Sequence, residues 1–277
     1  MSLFNKALVI YKPVDTCLEL ANIATTTLRS NNIEVNTLTI DDISISHRIS
    51  RDKLLNLDLV VSIGGDGTFI RSAKVFTSTP LILPYPCGRR NNYYERGLPS
   101  ISEILARVLT GDFHVEFIPL YRVSYENMNT FFINDAVIFS TDLGKASTYF
   151  VKVQSHLTND SIMFEGDGLI LSSTHGSSGH NLSARGPLVF PVLDAVTLTI
   201  INPMQIGATS IVIPALFSIE IWSKNKTQLY IDGDFSSIIK ENSVIKVEHG
   251  LTCVKVIRFN PSRNTWRSVL EPRKITF

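Results

Sequence analysis

The sequence contains few cysteines and no long apolar run. Its 277 residues include three cysteines, Cys17, Cys87 and Cys253, which are widely spaced and form no Cys-x-x-Cys pair. This spacing indicates neither a disulfide framework nor a zinc site. The apolar run at residues 7–11 is too short for a secretory signal, and no segment is long enough to span a bilayer. We therefore expect a cytoplasmic protein without a transmembrane segment.

An excess of charge of either sign is also missing. The 26 basic and 25 acidic residues give a net charge of +1, which provides no general field to attract nucleic acid or an anionic membrane. We expect no nucleic-acid partner, so any affinity for phosphate must be local. Because 44% of the residues are hydrophobic, the chain can bury a sizeable core, and its length favours two domains over one.

The pattern of secondary structure changes once along the chain. Up to residue 110, apolar strands alternate with helical patterns, which is typical of βαβ units around a parallel sheet. From residue 111 the helical periodicity fades and β-forming runs dominate. The sequence thus predicts an α/β domain over residues 1–110 and a β-rich domain over residues 111–253. The tail, residues 254–277, can return to the first domain, and the pattern leaves this open.

A glycine-rich loop follows the apolar strand predicted at residues 57–63. Residues 64–68 read Gly-Gly-Asp-Gly-Thr, which matches neither the common phosphate loop nor the Gly-x-Gly-x-x-Gly dinucleotide fingerprint. Gly64, Gly65 and Gly67 allow main-chain N–H groups to approach phosphate oxygens. Thr68 can cap the helix that follows, whose N-terminus favours negative charge. Asp66 is then available to accept a proton from an attacking hydroxyl or to help hold magnesium.

A second segment, residues 166–187, supports a nucleotide site. It reads GDGLILSSTHGSSGHNLSARGP, in which a strand carrying Asp167 leads into a loop of small and hydroxylated residues. Such residues offer hydrogen bonds to phosphate and ribose without blocking access. Alone, the glycine-rich loop would be interpreted as a strand-to-helix turn with Asp66 as a cap. The two segments together favour phosphoryl transfer.

The two segments together resemble the NAD kinase family. Its pattern is a Gly-Gly-Asp-Gly-Thr loop and, further along, Asp-Gly-Leu followed by Thr-Pro-Thr-Gly-Ser-Thr-Ala-Tyr-Ser-Leu-Ser-Ala-Gly-Gly-Pro. Asn134-Asp135 resembles the family's Asn-Glu pair, and Asp232-Gly233 resembles an Asp-Gly near its C-terminal end. The positions of the second segment that match at the same spacing are Asp167, Gly168, Leu169, Gly176, Ser177, Leu182, Ser183, Ala184, Gly186 and Pro187.

The resemblance implies a fold, an activity and an assembly. The fold is a Rossmann-like α/β domain with a parallel sheet followed by a β-sandwich-like domain, with the nucleotide site in the cleft between them. The activity is transfer of a phosphoryl group from ATP to the 2′-hydroxyl of NAD to give NADP, and some members also use polyphosphate. Mg²⁺ or another divalent metal is expected on the phosphates, with Asp66 as the one carboxylate that would assist. Family members are commonly homo-oligomers.

The site residues follow position by position from the resemblance, with Asp66 as the acid/base carboxylate. Arg89 and Arg90 come from local charge instead, because with Arg96 they form a basic cluster whose guanidinium groups suit phosphate oxygens. The full set of phosphate and nucleotide contacts is Gly64, Gly65, Gly67, Thr68, Arg89 and Arg90. The acceptor contacts are Asn134, Asp135, Asp167, His175, Ser177, Ser178, His180 and Ser183.

Departures from the family pattern lie where the acceptor would bind. His180 stands in place of a tyrosine, His175 in place of a threonine and Arg185 in place of a glycine, either by neutral drift or because the acceptor differs. Residues 83–97 replace a Gly-Val-Asn-x-Gly-x-Leu-Gly-Phe-like segment and distantly resemble a loop of diacylglycerol and sphingosine kinases. Two alternatives therefore stay open. One is a kinase for another hydroxyl acceptor, such as a lipid head group or a sugar-like metabolite, and the other is a nucleotide-binding sensor without turnover.

Overall fold

The computed structural model of the protein describes residues 3–44, 56–76, 80–88, 92–142 and 144–260. These residues divide into two compact units. The first comprises the described residues up to Ile118 together with those from Thr252 onward, and the second comprises residues 119–251. Within the described ranges, no helix is long and apolar enough to cross a membrane.

The first unit is built on a parallel sheet flanked by helices. The order of its strands is β2-β1-β3-β4, and the end of the last strand, β16 (Ile245–Arg258), adds to β4 in parallel. The other strands are β1 (Lys6–Tyr11), β2 (Glu34–Thr39), β3 (Leu59–Gly64) and β4 (Leu81–Pro86). The helices are α1 (Asp15–Ser30), α2 (Ile40–Ser44), α3 (Asp66–Val75) and α4 (Ile101–Thr110).

Sequence features explain both the sheet and the helices of this unit. Every residue of β3 is buried, as expected for a central parallel strand that is covered on both faces. Helix α4 begins with a capping box, in which Ser100 and Glu103 satisfy each other's main-chain N–H groups, and it ends at Gly111 in the left-handed conformation. Its buried residues, Ile101, Ile104, Leu105 and Val108, recur at helical spacing and form the face that joins the core.

Cys17 and Cys87 form a disulfide, with their Cα atoms 5.8 Å apart. The sequence indicated no disulfide, and for this pair that expectation is wrong. Cys17 lies in the first turn of α1, after β1, and Cys87 directly follows β4. Because β1 and β4 run parallel, both cysteines lie at the carboxyl edge of one sheet although 70 positions separate them. Spacing along the chain contains no information about such a pair.

The second unit consists of antiparallel strands in two sheets. One sheet has the order β12-β11-β10-β7-β14-β15. In the other, the first part of β16 pairs with β13, which pairs with β8 and then β9, while β5 pairs with β6. The strands are β5 (His114–Tyr125), β6 (Met128–Phe132), β7 (Asp135–Ser140), β8 (Ser147–Gln154), β9 (Asn159–Gly166), β10 (Gly168–Ser173), β11 (Ala195–Ile201), β12 (Ile211–Pro214), β13 (Ser218–Ser223), β14 (Thr227–Ile231) and β15 (Asp234–Ile239).

The core of the second unit lies between these two sheets. Tyr121 and Ile219 come from one sheet, Leu169 and Leu198 come from the other, and all four are buried in a single apolar cluster. Inward-facing apolar residues of two packed sheets are the signature of a sandwich. The predicted fold class, a Rossmann-like α/β domain with a parallel sheet and a β-sandwich-like domain, is confirmed.

Strand pairing in the second unit brings several motif positions to one end of a sheet. Strand β10 runs antiparallel to β7, with Ser172 opposite Asp135 and Gly168 opposite Phe139. The start of β7, the loop after β10 and the turn between β14 and β15 therefore lie together at this end. Asp167 directly precedes β10 and therefore lies at the opposite end of that strand.

Candidate functional site

The glycine-rich loop connects β3 to α3 and presents a helix N-terminus. Strand β3 ends at Gly64, and α3 begins at Asp66 with Gly65 as its N-cap. A Cβ atom at Gly64 would lie 2.6 Å from the Cβ of Thr68, so the close packing of this turn requires glycine. Thr68 is buried, and the N-cap has no side-chain hydrogen bond, so the capping role expected of Thr68 is wrong. The exposed Gly67 leaves the main chain of the first turn accessible to an anion.

The Asp66 carboxylate is held by two main-chain donors. The N–H of Asn92 donates to its Oδ2 and the N–H of Tyr93 to its Oδ1, each at 3.0 Å. The hydroxyl of Tyr94 donates to the carbonyl oxygen of Gly65 at 3.0 Å. Burial raises the pKa of Tyr94, so this hydroxyl keeps its proton and remains a donor. A carboxylate at this position can accept the proton of a hydroxyl or contribute a ligand to a metal ion.

Two of the predicted phosphate contacts, Arg89 and Arg90, lie outside the described residues. The third arginine of the predicted basic cluster, Arg96, is exposed beyond the buried stretch of Tyr93, Tyr94 and Glu95. Within the described ranges, no group of three or more His, Cys, Asp or Glu side chains could hold a metal ion. Asp66 is the carboxylate at the glycine-rich loop that could contribute one metal ligand.

On the second unit, Asp232 holds the segment that carries Asn134 and Asp135. Its carboxylate accepts hydrogen bonds from the main-chain N–H groups of Ile133 at 3.1 Å, Asn134 at 2.7 Å and Asp135 at 3.3 Å. The N–H of Asp232 donates in return to the carbonyl oxygen of Asp135 at 2.9 Å. Asp232 matches the family pattern in the sequence, but the match predicts no function for it. The available signal was Asp-Gly between two β-runs, which is typical of a tight hairpin turn.

Asp135 is a buried acid beside a second carboxylate. Its exposed fraction is 6%, and burial first, then the neighbouring Asp232, raises its pKa to about 7. At neutral pH the Asp135 carboxyl group is therefore protonated in part of the molecules. In that form it can donate a hydrogen bond to an acceptor atom, which an ordinary aspartate cannot do.

We expect the Asp135→Asn variant to gain stability relative to the wild type as pH rises. Between the ordinary carboxyl pKa of about 3.9 and about pH 7, native Asp135 retains a proton that the unfolded chain has released. The contribution of Asp135 to the unfolding free energy of the wild type must then fall through this window and level off above it. Urea unfolding of both proteins at several pH values measures the difference. A difference that does not change with pH would contradict the raised pKa.

Asn181 anchors the loop that follows β10. Its side-chain amide group donates to the carbonyl oxygens of Ser177 at 3.1 Å and Pro187 at 2.8 Å. Its side-chain oxygen accepts from the hydroxyls of Thr197 at 3.1 Å and Thr199 at 2.7 Å. Because Asn181 is fully buried and uses both amide protons and both lone pairs, one side chain fixes a loop that has few large residues of its own.

The serines of this loop differ in their exposure. The Ser177 hydroxyl is buried, donates to the carbonyl oxygen of Thr174 at 2.8 Å and accepts from the N–H of Val189 at 3.1 Å, so it supports the loop from inside. Ser178 is also buried, whereas Ser183 is exposed.

The two histidines and Asp167 complete the predicted acceptor set. His175 is half-buried, and His180 is exposed at the end of the short π-helical turn Ser177–Asn181. The Asp167 carboxylate accepts a hydrogen bond from the side chain of Asn202 at 2.8 Å. The structure therefore places Asp167 apart from Asn134 and Asp135.

A cavity of about 380 Å³ opens on the second unit, beside Asp135 and His180. Three aromatic rings line it, with centroid distances of 6.2 Å between Phe139 and His180 and 6.4 Å between Phe139 and Tyr230. An apolar, ring-lined recess with a few polar groups suits a flat heterocycle. The lining residues are Asp135, Val137, Phe139, Ser140, Thr141, His180, Gln228, Tyr230 and Gly233.

Comparisons with known proteins identify similar proteins for most of the chain. A family model described as the ATP-NAD kinase C-terminal domain matches residues 133–259. The NAD kinase of Thermococcus sibiricus is 31% identical over 240 residues, which cover 84% of this chain and 86% of the relative. The NAD kinase of Thermotoga neapolitana is 28% identical over 215 residues, which cover 77% of this chain and 82% of the relative.

Solved structures show the same fold. An NAD kinase from Archaeoglobus fulgidus in complex with ATP matches with a TM-score of 0.77 at 22% identity, covering 98% of this chain and all of the other. Yeast NADH kinase complexed with NADH matches with a TM-score of 0.83 at 17% identity, covering 99% of this chain and 89% of the other.

Fold, motifs and relatives together define a phosphotransferase. The identity and coverage shared with the Thermococcus enzyme then decide the family. The chain belongs to the NAD kinase family, and the resemblance found in its sequence is confirmed.

Proposed function

We propose that this protein transfers the terminal phosphoryl group of ATP to the 2′-hydroxyl of NAD and releases NADP. The observation that carries the proposal is the Asp66 carboxylate, which two main-chain N–H groups hold at the N-terminus of α3 in a member of the NAD kinase family. A carboxylate held in this way suits a proton acceptor beside a bound phosphate.

On the first unit, the proposed site acts on the phosphates and on the attacking hydroxyl. The main-chain N–H groups of Gly65 and Gly67 and the N-terminus of α3 bind donor phosphate oxygens, with Gly64 and Thr68 shaping the turn. Arg89 and Arg90 add positive charge to this set. Mg²⁺ or another divalent metal, when bound, neutralises charge on the transferring phosphoryl group. Asp66 orients the acceptor hydroxyl and accepts its proton late in the transfer.

On the second unit, two of the proposed acceptor contacts, Asp135 and His180, line the cavity. The aromatic side chains of Phe139 and Tyr230 supply faces on which a base of the dinucleotide can stack. The further contacts in the proposal are Asn134, Asp167, His175, Ser177, Ser178 and Ser183. A homo-oligomer, which the sequence resemblance implies, and a cytoplasmic location, which the short N-terminal apolar run favours, are further parts of this proposal.

A second candidate function keeps the chemistry and changes the acceptor. His180 lines the cavity where the family pattern has a tyrosine, and its ring offers less apolar area and a titratable group. Asp135, one methylene shorter than the glutamate of the pattern, lines the same cavity. These two positions favour a hydroxyl compound other than NAD as the alternative substrate.

One assay tests both candidates. Purified protein is incubated with Mg²⁺ and γ-labelled ATP, and NAD, NADH or a metabolite extract is added in parallel. The proposal predicts NADP in the NAD reaction at a rate well above the rate of ATP hydrolysis. Transfer of label to a compound of the extract, with no NADP, would replace NAD by another acceptor. ATP binding without any transfer would overturn the kinase proposal and leave a sensor.

A further inference from the structure

The segment that contacts Asp66 belongs to the region where this chain departs most from the family pattern. We call residues 92–95 the clamp segment. Its main-chain N–H groups at Asn92 and Tyr93 are the donors that hold the two oxygens of Asp66, each at 3.0 Å. The orientation of the carboxylate therefore depends on where the clamp segment is held.

One side of the clamp segment packs against the glycine-rich loop and α3. The ring of Tyr93 stacks on that of Phe69 with centroids 4.6 Å apart, and the Tyr94 hydroxyl donates to the carbonyl oxygen of Gly65 at 3.0 Å. Both tyrosines are 3% exposed. These contacts join the segment to the same loop that carries Asp66.

The other side is held by the end of β16. Nη1 of Arg258 donates to the carbonyl oxygen of Tyr93 at 2.8 Å, and Nε donates to Oε2 of Glu116 at 2.6 Å. The carboxylate of Glu95 accepts from the main-chain N–H groups of Phe259 at 3.0 Å and Asn260 at 2.6 Å. A side chain at the end of β16 thus bonds to the main chain of the clamp segment, and a side chain of the clamp segment bonds to the main chain directly after β16.

Two buried charged side chains hold the clamp segment, although the burial of a charge costs free energy. Arg258 is 5% exposed and Glu95 is 6% exposed. Burial of a charge is unfavourable unless hydrogen bonds compensate for it, and here the bonds of both side chains connect the clamp segment with the end of β16 or with Glu116. The planar guanidinium can bind Glu116 and the Tyr93 carbonyl together, which the single ammonium group of a lysine does less well.

We infer that Arg258 and Glu95 are positioning residues, which hold the clamp segment so that its N–H groups fix the Asp66 carboxylate for proton transfer. This inference rests on the proposed catalytic role of Asp66. Neither residue needs to touch the substrate, because both act through the main chain of Asn92 and Tyr93. The acidic partner Glu116 orients the guanidinium.

The kinetic test compares Arg258→Met with Arg258→Lys. We expect Arg258→Met to lower kcat by about 10- to 100-fold, since a misplacement of about 1 Å at a catalytic group has this effect. KM for NAD should change by less than about threefold, because the acceptor contacts proposed on the second unit are untouched. Arg258→Lys should recover part of the lost kcat. An unchanged kcat in folded Arg258→Met would overturn the inference.

A matched control separates positioning from loss of stability. Val108 is fully buried in α4 of the same unit and contacts neither the clamp segment nor Asp66 through any hydrogen bond. Val108→Ala should lower the melting temperature while keeping kcat at the wild-type level. Both variants are assayed at the same number of degrees below their own melting temperatures. An equal fall of kcat in Val108→Ala and Arg258→Met would also overturn the inference.

Amide hydrogen exchange tests the clamp without reference to activity. The Tyr93 N–H should exchange at least tenfold faster in Arg258→Met than in wild type, whereas amides of the α4 core should keep their rates. If wild type forms no NADP, the proposed function fails, and unchanged exchange at Tyr93 would overturn the clamp separately. Should Arg258→Met not fold, Tyr94→Phe and Glu95→Gln each remove one contact and serve in its place, with the same expected directions.

Discussion

Asp66→Asn should lower kcat for phosphoryl transfer by about 10²- to 10⁴-fold, the range that a positioned general base contributes. The amide has nearly the shape of the carboxylate, but it cannot accept the proton of the attacking hydroxyl. It also places an NH₂ group against one of the two N–H donors of Asn92 and Tyr93, so the loop loses one hydrogen bond. That structural loss should cost only about 1 kcal/mol of unfolding free energy. Steady-state kinetics and urea unfolding measure the two effects.

Asp58→Asn is a matched control for this substitution. Asp58 lies in the same unit, and its carboxylate also accepts two main-chain hydrogen bonds, from Asn5 at 2.7 Å and Lys6 at 3.0 Å. Both bonds end at Oδ2, so the amide oxygen of asparagine can accept both, and the control should lose no more stability than Asp66→Asn and keep its kcat. If Asp66→Asn retained kcat within about threefold of wild type, the carboxylate would be structural and general-base catalysis at this residue would be excluded.

Gly176→Ala should destabilise the second unit by about 1–3 kcal/mol and weaken the binding of NAD. Gly176 has ordinary right-handed backbone angles, so alanine brings no conformational strain there. Its Cβ would nevertheless lie 2.6 Å from the Cα of Asn134 and closer still to the carbonyl oxygen of that residue. This carbonyl accepts from the N–H of Ser173 at 2.8 Å and cannot retreat without breaking the pairing beside β7. The clash must therefore move Asn134 and Asp135.

The glycine substitution has its own control in Gly144→Ala. At Gly144 the nearest atom to an added Cβ would be a carboxylate oxygen of Asp142 at 3.5 Å, which is an ordinary contact. We expect this variant to unfold within about 0.5 kcal/mol of wild type and to keep its KM for NAD. Thermal unfolding and KM measurements on both variants decide the matter. A Gly176→Ala protein with wild-type stability and KM would show that Gly176 is not in rigid contact with the segment that carries Asn134 and Asp135.

Local patterns were sufficient to predict the fold class and the position of the glycine-rich loop between a strand and a helix. The alternation of strand and helix before residue 110, and the β-runs after it, depend on periodicities that a single sequence displays. Residues 64–68 are likewise a contiguous motif, and the structure places them at the start of α3 as expected. The exception within this loop is the predicted capping role of Thr68. Gly65 occupies the N-cap position of α3, and Thr68 lies inside the helix.

Contacts between distant positions could not be predicted in this way. Arg258 meets Tyr93 across 165 positions, Asp232 meets Asn134 across 98, and Cys17 meets Cys87 across 70. Each of these pairs is created by the order of strands in a sheet, and no local spacing encodes that order. Asp232 and Arg258 received no predicted function from the sequence for a second reason. Asp232 and Arg258 bond to main-chain groups of Ile133, Asn134 and Tyr93, and a main-chain group leaves no signal in the side chains of those residues.

Asn181 anchors the loop that follows β10, and this has a consequence for how the enzyme can evolve. One buried side chain makes four hydrogen bonds to the loop and its supporting strand, so we expect the loop to keep its backbone conformation when nearby positions change. His175, His180 and Arg185, where the chain departs from the family pattern, all lie within six positions of Asn181. A mutant library that randomises these three residues while preserving Asn181 should stay largely folded, which makes this loop the natural place to select for a new acceptor.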